Sequence, residues 1–234
     1  MNVKDMLNHL DISYLLDAIE RPLPILIYLM LAFVITRIPY VRAYFSLCNI
    51  LLYEVIRVIL EGSLGNKIFL SPDGPSRTNV GNSRLKNAFI TYAGHTGVSL
   101  ASIGLFYLVA KESYHLIFYL FIGLVMTAAF LWIRNILGLI WAITFSLSLT
   151  SFIYFGHSMA IMHISIFLSS LIFVQSVLNG IRLCKNHLME GKNPLRAGLF
   201  AKVKLLPVFM LGVLLLGQSV YAGYFIVKNI LSLY

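Results

Sequence analysis

A series of long apolar runs, separated by short polar segments, most constrains how this chain can fold. Residues 88–110, 114–133, 135–156 and 157–183 are each long enough to cross most of a ~30 Å hydrocarbon layer as a helix. A final run covers residues 203–233. The 234-residue chain is 59% hydrophobic and 12% charged, which is typical of polytopic membrane proteins and leaves no room for a soluble catalytic module. We therefore predict an all-α polytopic membrane protein with about six or seven transmembrane helices and a small β segment after the second helix.

The remaining parts of the chain divide by composition. The first residues mix apolar and acidic side chains at a spacing that suits an amphipathic helix at the membrane interface. The apolar run at 22–36 is short for a span, and we expect it to cross with help from its flanks. The predicted segments of one membrane domain are 1–21 (amphipathic), 22–60 (first helices), 61–87 (polar loop), 88–183 (four-helix block), 184–202 (basic loop) and 203–234 (last helix).

Basic residues are unevenly distributed between the polar segments. With seven crossings, the N-terminus, the 61–87 loop, Arg134 and the 182–204 loop share one side and carry most of the 18 lysines and arginines. The positive-inside rule then places the N-terminus in the cytoplasm and the C-terminus outside. A basic surface of this kind also explains the net charge of +9, so nucleic acid is not an expected partner.

Two charged residues lie inside the apolar run at 43–60. Glu54 and Arg57 are three residues apart, so they share one face of a helix and can reach each other. An ionisable side chain near the centre of a membrane helix is costly, and it normally faces the bundle interior and has a partner. We predict an ion pair that either fixes the packing of this helix or belongs to a polar site in the bundle core.

His95 and Asn179 are the other candidates for a polar site. His95 lies within an apolar run close to Gly94 and Gly97, and Asn179 lies at the polar end of the 157–183 run. Hydrogen bonds between or within helices would explain both residues without a site. The alternative is a core polar site, without a metal, formed by Glu54, Arg57, His95 and Asn179.

The 61–87 segment contains turn signals. Residues 67–71 could form a strand, and Ser71-Pro72-Asp73-Gly74 is a turn sequence. A strand at a membrane surface could pair with an extended peptide. A surface loop held by a hairpin explains the same residues without a partner.

The residues around Glu54 resemble a known motif. Tyr53-Glu54-Val55-Ile56-Arg57 is similar to the HExxH helix of membrane-embedded zinc metallopeptidases of the site-2-protease type. In that family two histidines bind zinc and the glutamate is the general base. The resemblance gives Glu54 the position of the base, with Tyr53 and Arg57 where the histidines would be. Neither is a usual zinc ligand, and we expect the guanidinium to replace the metal cation electrostatically.

The order of the later segments extends the resemblance over roughly residues 45–215. A strand-and-turn segment with Asp73-Gly74 follows the motif helix, then a helix with Ala93-Gly94-His95-Thr96-Gly97, then Arg134-Asn135. This order is similar to one bacterial branch of the family, which implies a bacterial, multi-pass cell-membrane protein. The family's further metal-binding aspartate lies on a late helix, where the nearest candidate is Asn179, a weak ligand.

The sequence leaves three functions open. The first, which we favour, is a catalytically inactive relative of these peptidases (a pseudoenzyme) that lies in the lipid bilayer. It would bind a transmembrane or juxtamembrane segment of another membrane protein and use no cofactor, zinc included. The second is a small transporter or accessory subunit with Glu54, Arg57 and His95 as an ion or proton relay. The third is an active intramembrane metallopeptidase with atypical ligands.

Overall fold

The computed structural model describes residues 23–62, 70, 84–189, 208–226 and 228. Within them the chain forms seven α-helices. These are α1 (Leu23–Ile35), α2 (Pro39–Glu61), α3 (Arg84–Ala110), α4 (Tyr114–Leu131), α5 (Ile136–Tyr154), α6 (Ser158–Met189) and α7 (Val208–Phe225). The predicted interfacial helix at 1–21 lies outside the described residues.

Five of the helices, α2 to α6, are long and apolar enough to cross a membrane. The shorter apolar helices at Ile25–Ile35 and Val213–Phe225 account for the remaining predicted runs. At ~1.5 Å per residue, the 13 residues of α1 extend only about 20 Å, which is less than the hydrocarbon thickness. The prediction of an all-α polytopic membrane protein is confirmed.

Local sequence explains where α2 begins and ends. Pro39 is in its first turn, where a missing N–H costs nothing, and the preceding Ile38 is extended. At the other end Gly62 adopts a left-handed conformation (φ 67°), which only glycine tolerates easily. These two signals bound the helix that carries Glu54 and Arg57.

Helix α2 packs mainly against α3, α6 and α4. Its buried residues extend from Leu47 to Glu61, and its side chains contact α5, α6 and α3 in turn. The contacting pairs are Tyr44–Trp141, Phe45–Phe167, Asn49–Asn179 and Tyr53–His95. The second half of the helix with the unusual charges is therefore buried against its neighbours, whereas α6 is the helix that contacts all the others.

Leu70 is the one described residue of the strand predicted at 67–71. The Asn135 side-chain amide bonds both the N–H and the carbonyl of its backbone. The Leu70 N–H donates to Asn135 Oδ1 (3.2 Å), and Asn135 Nδ2 donates to the Leu70 carbonyl (2.6 Å). These are the two bonds that a paired strand would make. A Cβ on Gly138 would lie 2.6 Å from Asn135 Oδ1, so the glycine makes room for this amide. The described residues contain no strand element.

The position of the turn between α1 and α2 differs from the one predicted from loop charges, which placed this turn on the side opposite the 182–204 loop. Along α1, Tyr28 bonds to His163 and Ala32 packs with Leu171 and Val174, so α1 and α6 run in the same direction. The structure therefore brings the α1–α2 turn to the end where α6 carries Arg182, instead of the opposite end. The α1–α2 turn lies at this end because α1 packs along α6, and the distribution of charges in loops does not predict such packing. The membrane side of each terminus stays a prediction.

The end of α6 also differs from the predicted segment boundaries. The helix continues to Met189, so the basic segment expected to begin at residue 184 starts as helix. Likewise α3 begins at Arg84, within the segment predicted as a loop to residue 87. Polar residues at a helix end carry no apolar period, and this explains both differences.

Candidate functional site

A buried charged cluster occupies the second half of α2. The Arg57 guanidinium lies between two carboxylates of its own helix, with Nη1 3.2 Å from Glu54 Oε2 and Nε 2.9 Å from Glu61 Oε1. Glu54 is fully buried, and Arg57 and Glu61 are less than a tenth exposed. The 2.9 Å contact with Glu61 has the length of a charge-assisted hydrogen bond, and the low dielectric of the interior strengthens the attraction in both ion pairs.

The cluster belongs to a longer polar stripe on α2. Asn49, Tyr53, Arg57 and Glu61 recur at every fourth position, and all four are buried. Residues four apart lie one above another on a helix, so they form one continuous row, with Glu54 beside it. We call Asn49, Tyr53, Arg57 and Glu61, together with Glu54, the polar stripe.

His95 meets the polar stripe at Tyr53. The two rings lie 4.6 Å apart between centroids, at a tilt of 43°. A Cβ on Gly94 would lie 2.7 Å from the Tyr53 ring, and one on Gly97 would lie 2.8 Å from Ile56. The two glycines flanking His95 in α3 therefore let α3 approach α2 closely.

Asn179 meets the polar stripe at Asn49. Its Nδ2 donates to Asn49 Oδ1 at 3.1 Å. Asn49 precedes Glu54 by five residues, about 7.5 Å along the helix axis. The structure thus brings Glu54 and Arg57 together, and it places His95 and Asn179 against the earlier turns of the same stripe.

Asn49 and Tyr53 form the neutral end of the polar stripe. Three serine hydroxyls from three helices lie beside this end. Ser99 Oγ is 2.8 Å from Ser176 Oγ and 3.3 Å from Ser219 Oγ, and the last two are 3.4 Å apart. We call them the serine cluster. They line, with Asn49, His95 and Asn179, a cavity of about 10 Å³, which holds roughly one water. Within the described residues, Nδ2 of the buried Asn49 has no hydrogen-bond partner.

A large apolar groove lies on the other side of α2, between α3 and α4. Its volume is about 600 Å³, within the ~300–1,000 Å³ typical of ligand sites. Leu52, Val55 and Ile59 close it on the α2 side. Its wall contains Gly104 and Gly123, and a Cβ at either position would meet no atom within 4 Å.

The comparisons with known proteins support the predicted resemblance to membrane peptidases. The model of the family described as Peptidase M50B-like matches residues 25–226. The chain belongs to the Peptidase M50B-like family. Searches of curated proteins and of solved structures found no match.

Membership of the Peptidase M50B-like family makes it possible to test whether these residues suit the zinc of related membrane peptidases. The sequence resemblance gives Tyr53 and Arg57 the positions of the HExxH histidines, and a guanidinium offers five donors and no lone pair for a metal. In the part of the chain that the structure describes, no three His, Cys, Asp or Glu residues could hold a metal together. The donor set at this position does not fit zinc.

Sequence reasoning missed three parts of this site. Glu61 is four residues from Arg57, and the i,i+4 spacing on an apolar helix was a sufficient signal. Asn49 could have been found from the same four-residue period. The serine cluster left no usable signal, because serines are common in membrane helices and its members come from three separate helices.

Proposed function

We propose that this chain is a catalytically inactive relative of the intramembrane peptidases that binds a transmembrane segment of another membrane protein. The observation that carries the proposal is the position of Arg57. Its guanidinium lies between Glu54 and Glu61, at the position of the second HExxH histidine. A fixed positive charge there satisfies the carboxylates that a metal ion would otherwise neutralise, and it repels a divalent cation.

The binding part of the proposal is supported by the apolar groove. Its lining is uncharged and contains small residues at Ala101, Gly104 and Gly123. Small residues let a second helix approach closely in a membrane, where packing rather than the hydrophobic effect drives association. The occupant that fits is an apolar transmembrane helix, because the groove has room for a helix and its lining has no charged group that needs a polar partner.

Metal content tests the inactive part. Zinc would be measured by mass spectrometry in the purified full chain, in Glu54→Gln, in His95→Ala, and in the double variant Tyr53→His with Arg57→His as a restored-ligand control. We expect no stoichiometric zinc in the wild type. One zinc per chain in the wild type, lost on Glu54→Gln or His95→Ala, would overturn the proposal.

Photo-crosslinking in cells tests the partner. A photoreactive amino acid would replace Tyr119, which lines the groove, or Tyr154, which is exposed and lies outside the groove lining. We expect a protein adduct from position 119 alone. Gly104→Leu with Gly123→Leu should fill the groove and abolish the adduct while the protein stays folded. Adducts to lipid only, or an adduct that survives filling, would contradict a transmembrane partner.

A second candidate is an ion or proton relay through Glu54, Arg57 and His95. The water-sized cavity beside His95, at the neutral end of a continuous polar stripe, favours it. Proton flux into liposomes containing the purified protein separates the two functions. Flux that Glu54→Gln abolishes, with the fold intact, would favour the relay, whereas the binding function predicts no flux.

A further inference from the structure

Three arginines from three segments of the chain lie at one end of the bundle. Arg37 lies in the α1–α2 turn, Arg42 in the first turns of α2, and Arg182 near the end of α6. They are brought together because α1 packs along α6 in the same direction, from Tyr28 against His163 onward. Arg37, Arg42 and Arg182 therefore place their positive charges at the same end of the bundle.

Like charges repel, so a cluster of this kind calls for an anion. Within the described residues, the salt bridges all involve Arg57, and no carboxylate pairs with Arg37, Arg42 or Arg182. Two other contacts hold guanidinium groups in place. Arg37 lies over the Phe33 ring at 4.7 Å, and Arg182 Nη1 lies 3.5 Å from Asn179 Oδ1. The cluster is therefore partly ordered and still has donors to offer.

We propose that Arg37, Arg42 and Arg182 form a binding site for the phosphate group of an anionic membrane lipid. Planar guanidinium forks match the oxygens of a phosphate better than lysine ammonium groups do. The position favours a lipid over a soluble phosphate. The neighbouring face of α1 exposes Met30 and Val34, apolar side chains suited to acyl chains, and the arginines follow where this apolar face ends.

The site is also connected to the polar stripe. Asn179, which contacts Arg182, donates to Asn49 at the neutral end of the stripe. A phosphate would use the N–H donors of Arg182 that Asn179 Oδ1 does not accept, so one guanidinium joins the two sites. The lipid site involves neither the HExxH positions nor the groove, so it is separate from the proposed function.

Lipid preference in nanodiscs or by native mass spectrometry tests the site. The full chain would be presented with phosphatidylglycerol, phosphatidylcholine or inorganic phosphate. Arg37→Gln, Arg42→Gln and Arg182→Gln would be combined in one variant. The charge-matched control combines Lys111→Gln, Arg134→Gln and Lys228→Gln. Its two lysines, like Arg37, lie over aromatic rings, at 5.7 Å for Lys111 and 5.6 Å for Lys228.

We expect the wild type to prefer phosphatidylglycerol, the first triple variant to lose at least about tenfold of that preference, and the control to keep it. If the first variant fails to fold, the three Arg→Lys changes keep the charge but lose the planar fork, and they should also weaken the preference several-fold. Equal loss in both glutamine variants would reduce the effect to general surface charge and overturn the site. No preference in the wild type, or competition by inorganic phosphate as strong as by lipid, would overturn the lipid assignment.

Discussion

The two halves of the polar stripe satisfy their polar groups in different ways. In the charged half, Arg57 finds Glu54 and Glu61 on its own helix, three and four residues away. In the neutral half, Asn49 and Tyr53 find their partners on α6 and α3. The two ion pairs of the charged half require only that α2 be helical, whereas the contacts of the neutral half require the helices to be assembled.

This difference has a physical reason. An unpaired charge in a membrane interior costs several kcal/mol, so a partner within the same helix protects the chain before the bundle forms. An amide or an aromatic ring without a partner costs less free energy than an unpaired charge. Its partner can therefore come from another helix, once the bundle has formed. The charged half thus neutralises its charges within one helix, and the neutral half contributes to the specificity of helix packing.

The largest effect is expected from Arg57→Met. It leaves Glu54 and Glu61 without the guanidinium between them, and loss of one member of a buried ion pair costs about 3–5 kcal/mol. Chemical or thermal unfolding in detergent measures the loss. The triple variant Glu54→Gln, Arg57→Met, Glu61→Gln should recover much of the stability, because no charge remains buried in the cluster. A triple variant as unstable as Arg57→Met alone would show that the three groups do not act as one cluster.

At the junction of the two halves we expect an intermediate effect from Gly94→Ala. The new Cβ would lie 2.7 Å from the Tyr53 ring, which is held against His95, so α3 and α2 must separate. Overpacking of this kind costs about 1–3 kcal/mol. Gly104→Ala is the matched control, because its Cβ would meet nothing within 4 Å. Equal melting temperatures for the two variants would contradict close packing at Tyr53.

In the neutral half, a double-mutant cycle on Asn49 and Asn179 should give a smaller coupling. Interhelical hydrogen bonds in membrane proteins couple by about 0.6–1.7 kcal/mol. Asn49→Leu, Asn179→Leu and the double variant would be compared by unfolding in detergent, and the double variant should be less destabilised than the sum of the single changes. Strict additivity would mean that the bond between the two amides does not contribute.

The smallest effect is expected from Ser99→Ala. It removes one of three hydroxyls in the serine cluster, and the net loss of such a bond is about 0.5–1 kcal/mol. Ser151→Ala is the control, since Ser151 bonds only to a carbonyl of its own helix. A loss above that of Arg57→Met would reverse the proposed contrast between the charged and neutral halves.

Much of the fold could be predicted from the sequence, and less of the candidate site. The runs at 88–110, 114–133 and 135–156 correspond closely to α3, α4 and α5, because apolar length is a local property. The contact between Glu54 and Arg57 also follows from spacing alone. The role of these residues with His95 and Asn179 as one site, and the absence of a cofactor, stay predictions.

The sequence by itself determined that this protein consists of membrane helices and that Arg57 has an acid on its own helix. Both depend on residues less than about one span apart, and helical geometry relates such residues directly. Only the tertiary structure decided that Asn179 meets Asn49, that the His95 ring contacts Tyr53, and that the α1–α2 turn lies at the Arg182 end. Those relations depend on how separate helices pack, and the periodicity of one helix does not specify which neighbour its buried face will meet.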